Sequence, residues 1–283
     1  MSTQFSPVIA AHAQGANGSI SVQSLDLDTL GEWASPVILL HDFRLRGRPF
    51  APHPHAGFSA VTYVFEDSPA NLRSRDSLGN DVVTGPGGIV WTQAGSGAIH
   101  EELPAEPDRE LHGLQVFVNL RAMNKLAAPQ VFRLPASEVP EWRNGAGDRV
   151  RVLVGSLEGI ASPLVPIEPF TLLEVELQRT MALTFAPAHN ALLYVLAGDV
   201  LVRADGREQL VAGGHAMAMH SSGGHITIGG VHAAQLFVLS GAEIREPVLA
   251  EGPFIMHDRR QIEAAAARYR AGAMGYLAPL PER

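Results

Sequence analysis

Short apolar runs alternate with turn residues along the whole chain, and this pattern is typical of an all-β protein. The runs are rich in β-branched and aromatic residues. In the first half they fall at residues 36–40, 60–65, 89–92 and 114–118, and in the second half at 150–154, 170–177, 181–185, 191–196 and 200–203. The 28 glycines and 20 prolines are spread throughout, so long helices are not expected in the body of the chain.

Three short matches recur in the same order in the two halves of the chain. Tyr63-Val64-Phe65 is similar to Tyr194-Val195-Leu196, Gly87-Gly88 to Gly213-Gly214, and residues 114–118 to residues 234–238. The offset between matched residues drifts along the chain, as changes in loop length would produce. Matches in a conserved order indicate a duplicated β-domain. The sequence therefore predicts two packed β-barrels.

A segment rich in proline, glycine and polar residues, 135–148, lies between the two halves and is predicted to be a linker. The predicted domains are an N-terminal barrel over residues 1–134 and a C-terminal barrel with a helix over residues 149–283. The helix is expected at about residues 261–271, because Asp258 can cap its start and Gly272 can end it.

Composition and charge narrow the function. The chain has no cysteine, which excludes disulfides and thiolate metal sites, so that any metal must be held by histidine and carboxylate. A net charge of −8 argues against a broad phosphate-binding surface, and no direct nucleic-acid binding is expected. The basic stretch 44–48 is interpreted as a solvated loop. No apolar run is long enough to span a bilayer and no leader pattern opens the chain, which predicts a cytoplasmic protein without membrane partners.

Two pairs of candidate metal ligands lie at the ends of a β-rich stretch. His53 and His55 are two residues apart, and so are His100 and Glu102, which follow a turn containing Gly95 and Gly97. Strand residues two apart point to the same face, so the two pairs can converge from two strands onto one metal ion. The alternative is that these histidines are ordinary polar side chains.

Imidazole with carboxylate suits iron, nickel, copper, manganese or zinc. A six-coordinate ion with four protein ligands would keep two positions open for substrate and dioxygen or for two waters, whereas a tetrahedral zinc ion would form a closed structural site. The second half cannot repeat the ligand set, because carrying His53 and His55 forward lands on Thr184 and Ala186, and residues 209–242 contain no Asp or Glu. One metal is therefore expected, in the N-terminal barrel. Histidines expected to be polar surface or loop residues are His189, His215, His220, His225 and His232.

Several motifs together resemble the pirin family, a branch of the cupins. They are HPHAGF (53–58), DSLGN (76–80), GPG (85–87), WTQAGSGAIHEE (91–102), LQVFVNL (114–120), GAEIREPV (241–248) and GPFIM (252–256). The resemblance covers nearly the whole chain. It implies two double-stranded β-helix (cupin) barrels, with one divalent metal, usually Fe²⁺, in the N-terminal barrel. The family's ligands fall on His53, His55, His100 and Glu102. Ser59 stands near the position where many cupins keep a metal-binding Glu, so Glu102 is the only carboxylate ligand expected.

The resemblance also implies a function. Some pirins resemble quercetin 2,3-dioxygenases, which open the flavonol ring with O2 and release carbon monoxide. On this hypothesis the base that takes the substrate hydroxyl proton is Glu102 or a group next to the metal ligands. Gln115 is expected to face the barrel interior, where it hydrogen-bonds the substrate or orders a ligand, and the alternative is a glutamine paired within the barrel. The alternative is a non-catalytic, iron-dependent redox sensor that acts through protein partners. Both hypotheses use the same four ligands, and an open pocket beside the metal favours the enzyme.

Overall fold

The computed structural model describes residues 3–15, 18–221, 223 and 225–281. Within these residues strands are the main regular structure, as the apolar runs predict. In chain order they are β1 (Gln4–Ala10), β2 (His12–Gln14), β3 (Ile20–Ser24), β4 (Val37–Leu45), β5 (His53–His55), β6 (Phe58–Val64), β7 (Leu72–Asp76), β8 (Asp81–Thr84), β9 (Ile89–Gln93), β10 (Ala98–Pro104), β11 (Leu111–Asn119), β12 (Gln130–Leu134), β13 (Glu141–Arg143), β14 (Arg149–Val154), β15 (Ser156–Leu157), β16 (Ile160–Ala161), β17 (Phe170–Leu177), β18 (Thr180–Thr184), β19 (His189–Ala197), β20 (Asp199–Ala204), β21 (Arg207–Ala212), β22 (His215–Ser221), β23 (His225–Gly230), β24 (Ala234–Ala242), β25 (Leu249–Glu251) and β26 (Phe254–Met256).

Helical structure is limited to short segments. The α-helix α1 spans Arg259–Arg270, and 3₁₀ helices span Leu27–Ala34, Ala122–Asn124 and Ala136–Glu138. The predicted cap is present, since the Asp258 carboxylate accepts a hydrogen bond from the Gln261 backbone N–H at 2.8 Å. No helix among the described residues has both the length and the apolar character needed to cross a lipid bilayer.

The chain forms two compact units. The first, called here the first barrel, contains the described residues of 13–24, 39–137 and 244–283, and the second barrel those of 1–12, 25–38 and 138–243. Each barrel has one seven-stranded and one four-stranded sheet. In the first barrel the strand orders are β12-β9-β6-β11-β4-β3-β2 and β5-β10-β7-β8, and in the second they are β1-β22-β19-β24-β17-β14-β13 and β18-β23-β20-β21.

The sequence repeat corresponds to this repeated topology. The first match lies at the ends of β6 and β19, the glycine pairs immediately precede β9 and β22, and the third match lies in β11 and β24. In both barrels these three strands are neighbours in the seven-stranded sheet. The prediction of two barrels from a duplicated domain is confirmed.

The grouping of segments differs from the predicted domain boundaries. The N-terminal strand β1 pairs with β22 and so extends the sheet of the second barrel. The predicted linker contains β13, which pairs with β14 of the same barrel. The C-terminal segment from residue 244 onward, including α1, belongs to the first barrel. Apolar patterning identifies each of these elements, but it does not show which sheet edge an element completes.

The basic stretch at residues 44–48, interpreted from the sequence as a solvated loop, has part of its length on a strand and contacts within the protein. Arg44 lies on β4, and Arg44 and Arg46 form ion pairs with Glu110 at 3.0 and 3.2 Å. Arg48 donates a hydrogen bond to the Pro281 carbonyl at 2.7 Å. These arginines therefore have partners within the first barrel.

Candidate metal centre

Three histidines meet where β5 pairs with β10. The two strands are antiparallel, with His53 opposite His100 and His55 opposite Ala98. Residues two apart share a face of a strand, so the three imidazoles lie on the same side of this pair. One ring nitrogen from each histidine lies within 4.8 Å of the others, which is a geometry that can hold a metal ion.

The ring nitrogens of His55 and His100 are buried without hydrogen-bond partners. The two residues are 6% and 2% exposed, and no described atom forms a hydrogen bond with any of their four ring nitrogens. Buried polar atoms are normally paired, because leaving one unpaired costs about 1–3 kcal/mol. His53 differs, since its Nδ1 lies 3.0 Å from the Ala51 carbonyl oxygen. A carbonyl only accepts, so Nδ1 is the donor and Nε2 is the ring nitrogen left to face a metal.

The electrostatics keep the imidazoles of His55 and His100 neutral. Burial, together with the neighbouring His53, lowers the pKa of His55 to about 3, and the nearby Pro253 carbonyl opposes this without reaching hydrogen-bond geometry. Burial and the adjacent His55 and His53 hold the pKa of His100 well below its usual value. Neutral imidazoles with available lone pairs are the form that binds a metal, so the three side chains fit a bound ion.

Glu102, the predicted fourth ligand, lies in the same cavity but outside the group formed by the three histidine nitrogens. The Thr62 hydroxyl donates a hydrogen bond of 2.6 Å to its carboxylate. Burial raises the pKa of Glu102 to about 7, and hydrogen bonds from Thr62 and Ser74 oppose this rise. Coordination of a metal by Glu102 remains a prediction.

A cavity of about 300 Å³ opens beside the three histidines. This volume is at the lower end of the range for small-molecule sites. Aliphatic and aromatic side chains from β3, β4, β7 and β11 form most of its wall. The polar side chains that line it are His41, His53, His55, His100, Glu102 and Gln115. Gln115 is thus placed in the cavity wall, and its contact with a substrate remains a prediction.

His41 was not identified from the sequence. Its signal is the alternation of Leu39, His41, Phe43 and Leu45 along β4, which places all four on one face. The alternation points to a cavity residue only if β4 borders the cavity. The position of β4 depends on pairing between segments that are distant in the sequence.

The C-terminal segment supports the ligand-bearing strands from behind. Ala56 forms a bridge with Phe254, and the Ile255 N–H donates to the Ala56 carbonyl at 3.0 Å. Lys125 is 1% exposed, and its ammonium donates hydrogen bonds to the Gly57 and Ile255 carbonyls at 2.8 and 2.9 Å. It thereby joins the loop after β5 to the C-terminal segment.

Two glycines allow this close approach. A β-carbon at Gly57 would collide with the Ile255 carbonyl oxygen, and one at Gly97 would lie within 2.7 Å of three Met274 side-chain atoms. Gly95 and Gly97 have φ values of 51° and 129°, so the chain bends just before His100 as the sequence predicts.

The second barrel has no comparable group of metal ligands among the residues that the structure describes. The strands topologically equivalent to β5 and β10 are β18 and β23. Their inward side chains are Met181, Leu183, Ile226 and Ile228, all members of one buried apolar cluster. The five histidines expected to be polar surface or loop residues (His189, His215, His220, His225 and His232) are half-buried or exposed, and four of them lie on strands.

Two barrels of this topology, one of them bearing a buried histidine cluster, define a two-barrel cupin protein. Comparison with known proteins agrees. A solved quercetin 2,3-dioxygenase from Acinetobacter baumannii has a TM-score of 0.84 at 23% identity and covers 98% of this chain and 99% of that one. A bacterial pirin from Escherichia coli in complex with nickel(II) has a TM-score of 0.66 at 16% identity, covering 85% of this chain and 100% of that one.

Sequence comparison identifies the family. The pirin profile matches residues 21–118, and the profile of the pirin C-terminal cupin domain matches residues 172–275. A Pseudomonas aeruginosa protein provisionally named quercetin 2,3-dioxygenase is 33% identical over 80% of this chain and 80% of its own length. Human pirin is 28% identical over 98% of this chain and 92% of its own length. The chain belongs to the pirin family.

Proposed function

We propose that this protein is a metal-dependent dioxygenase of the quercetin 2,3-dioxygenase type, which opens the ring of a flavonol with O2 and releases carbon monoxide. The observation that carries the proposal is the group of three histidines, two of them buried, facing a largely apolar cavity of about 300 Å³. The names of several relatives support the same reaction class.

The proposed ligands are His53, His55, His100 and Glu102. Three imidazoles and one carboxylate suit several first-row metals. Iron(II) is the first choice, with nickel, copper, manganese, cobalt and zinc as alternatives. When bound, the metal supplies a Lewis acid for the substrate hydroxyl and a place for O2 beside it.

The protein's own side chains bind and orient the substrate. In the proposal, Glu102 takes the proton of the flavonol 3-hydroxyl, and Thr62 holds the carboxylate in place through its 2.6 Å hydrogen bond. Gln115 donates or accepts a hydrogen bond at the cavity wall. Phe117, whose ring centroid lies 5.4 Å from that of His55, provides an aromatic surface beside the metal ligands. The apolar wall keeps water from the reacting atoms.

A non-catalytic redox sensor acting through a protein partner would need the same ligands but no room for a substrate. The cavity beside the histidines therefore favours the enzyme. We also propose that the protein is cytoplasmic and that its substrates are a small aromatic molecule and O2.

Oxygen uptake tests the proposal. Protein loaded separately with each candidate metal should consume O2 when quercetin is added, and His55→Ala should lose both metal and uptake. Absence of turnover with every metal would contradict the enzymatic function. Uptake by the metal-free variant would show that the site is assigned wrongly.

A further inference from the structure

The polar side chains of the cavity fall into two groups. His53, His55, His100 and Glu102 come from β5 and β10 of the four-stranded sheet. His41 and Gln115 come from β4 and β11, which are neighbours in the seven-stranded sheet. The proposed function gives the first group its role but leaves His41 without one.

His41 is directed to the cavity by the alternation of β4. Leu39, His41, Phe43 and Leu45 all line the cavity, while Asp42 and Arg44 point to the opposite face and bind His112 and Glu110. His41 is the polar member of an otherwise apolar row. A polar group among apolar cavity residues fixes the orientation of a ligand.

The contacts on the opposite face show where His41 lies relative to β11. The Asp42 carboxylate is 2.9 Å from His112 Nε2, and Arg44 is 3.0 Å from Glu110, so the two strands are antiparallel. On the cavity face this pairing brings His41 opposite Gly113 and diagonal to Gln115. Diagonal neighbours across a sheet have Cα atoms roughly 7–8 Å apart, within reach of long side chains. His41 therefore lies two residues further along the sheet than Gln115.

Of these two residues, His41 is the one at a distance from the histidine cluster. The Phe117 ring meets the His55 ring edge to face, and Gln115 and Gly113 follow on the same face of β11. Gln115 lies opposite Thr62 of β6, whose hydroxyl contacts the Glu102 carboxylate, so Gln115 is close to the proposed metal ligands. At about 3.3 Å per residue, Gly113, and with it His41, lies roughly 13 Å along the sheet from Phe117. A planar aromatic molecule of two or three rings spans such a distance.

We propose that His41 forms a second polar contact site, which binds a phenolic hydroxyl at the end of the substrate remote from the metal. The ligand class is a planar aromatic compound with an oxygen group at each end. The imidazole can donate a hydrogen bond to a hydroxyl group or accept one from it. This inference rests on the proposed function, since it assigns the preferred substrates of the same site.

Binding measured without O2 tests the inference independently of turnover. The probes are quercetin, which carries hydroxyls on its remote ring, and 3-hydroxyflavone, which lacks them. The variants are His41→Phe, which keeps an aromatic ring but no hydrogen bond, and His41→Gln, which keeps the hydrogen-bonding capacity. Leu39→Ala is the matched control, because Leu39 lies on the same face of the same strand. Metal content of each variant reports whether the histidine cluster is intact.

Wild-type protein should bind quercetin more tightly than 3-hydroxyflavone. His41→Phe should weaken quercetin binding about tenfold, the effect of one lost hydrogen bond, and change 3-hydroxyflavone binding less than twofold. His41→Gln should keep most of the preference for quercetin. Leu39→Ala should weaken the binding of both ligands to a similar extent.

Equal effects of His41→Phe on the two ligands, or no wild-type preference, would overturn the inference, as would a wild-type protein that binds neither ligand. Preferential binding without oxygen uptake would instead contradict the dioxygenase function and leave the second contact site standing.

Discussion

The two barrels share one topology and differ in what fills the same pair of strands. In the first barrel β5 and β10 carry His53, His55, His100 and Glu102 beside a cavity. In the second, β18 and β23 carry Met181, Leu183, Ile226 and Ile228 within a continuous apolar core. Both sets occupy alternate positions on their strands, so either set can fill the interior of the same fold.

This difference shows how stability and function are divided between the two barrels. Buried aliphatic side chains stabilise a fold, whereas buried imidazoles without partners oppose folding until a ligand binds them. The second barrel has the composition of a structural unit. The first has polar atoms in its interior that gain partners when a metal binds.

The largest expected effect comes from removing one histidine of the cluster. His100→Ala should weaken metal binding by more than the roughly 10–100-fold that loss of a supporting contact costs, because it removes a ligand itself. The measurement is metal content after loading and desalting. His225→Ala is the matched control on the equivalent strand β23, since His225 is exposed, and it should leave metal content unchanged. Loss of metal from both variants, or from neither, would contradict a metal site confined to the first barrel.

The second prediction concerns the stability of the metal-free protein, for which the larger effect is expected in the second barrel. Ile228→Ala should lower the free energy of unfolding by about 2–5 kcal/mol, because it leaves a hole in a packed apolar core. His100→Ala should cost much less, since the imidazole already borders a cavity and lacks hydrogen bonds. Urea unfolding provides the measurement. Equal losses would mean that the two interiors are packed alike.

The third prediction concerns the fourth ligand. Glu102→Gln should weaken metal binding toward the upper end of the roughly 10–100-fold range that loss of a supporting contact costs. The loss is smaller than in His100→Ala, because the amide keeps an oxygen that can coordinate while the carboxylate charge is removed. Thr62→Val, which removes only the hydrogen bond to that carboxylate, should have a smaller effect. Metal affinity is measured by competition with a chelator. If Glu102→Gln leaves the metal affinity unchanged, Glu102 is not a ligand and the three histidines alone hold the metal.

The smallest expected effect concerns the packing of the C-terminal segment against the turn that precedes β10. Gly97→Ala should weaken the contact with the C-terminal segment by about 1–3 kcal/mol, because the added β-carbon meets Met274 and φ is positive. Lys125 is the only lysine in the chain and is buried, so its labelling by an amine reagent reports opening of this region. Gly79→Ala is the control, since φ is 97° there but nothing lies within 4 Å. Labelling that rises equally in both variants would exclude the contact as the cause.

The sequence predicted what depends on local spacing. Alternation placed His53 and His55 on one face, and the glycines before His100 predicted the bend that the structure shows. It did not predict that residues 244–281 pack behind these strands, because an apolar pattern does not specify its partner. His41 was missed for the same reason, since its role depends on the pairing of β4 with β11. Glu102 matches the expected spacing, but its carboxylate contacts Thr62 rather than the histidine group.

The most direct test of the two-barrel comparison is anomalous diffraction from crystals of the iron-loaded protein, collected above and below the iron absorption edge. We expect one strong peak per chain, between the ring nitrogens of His53, His55 and His100, and none in the second barrel. A peak among the histidines of the second barrel, or no peak between these three residues, would contradict it.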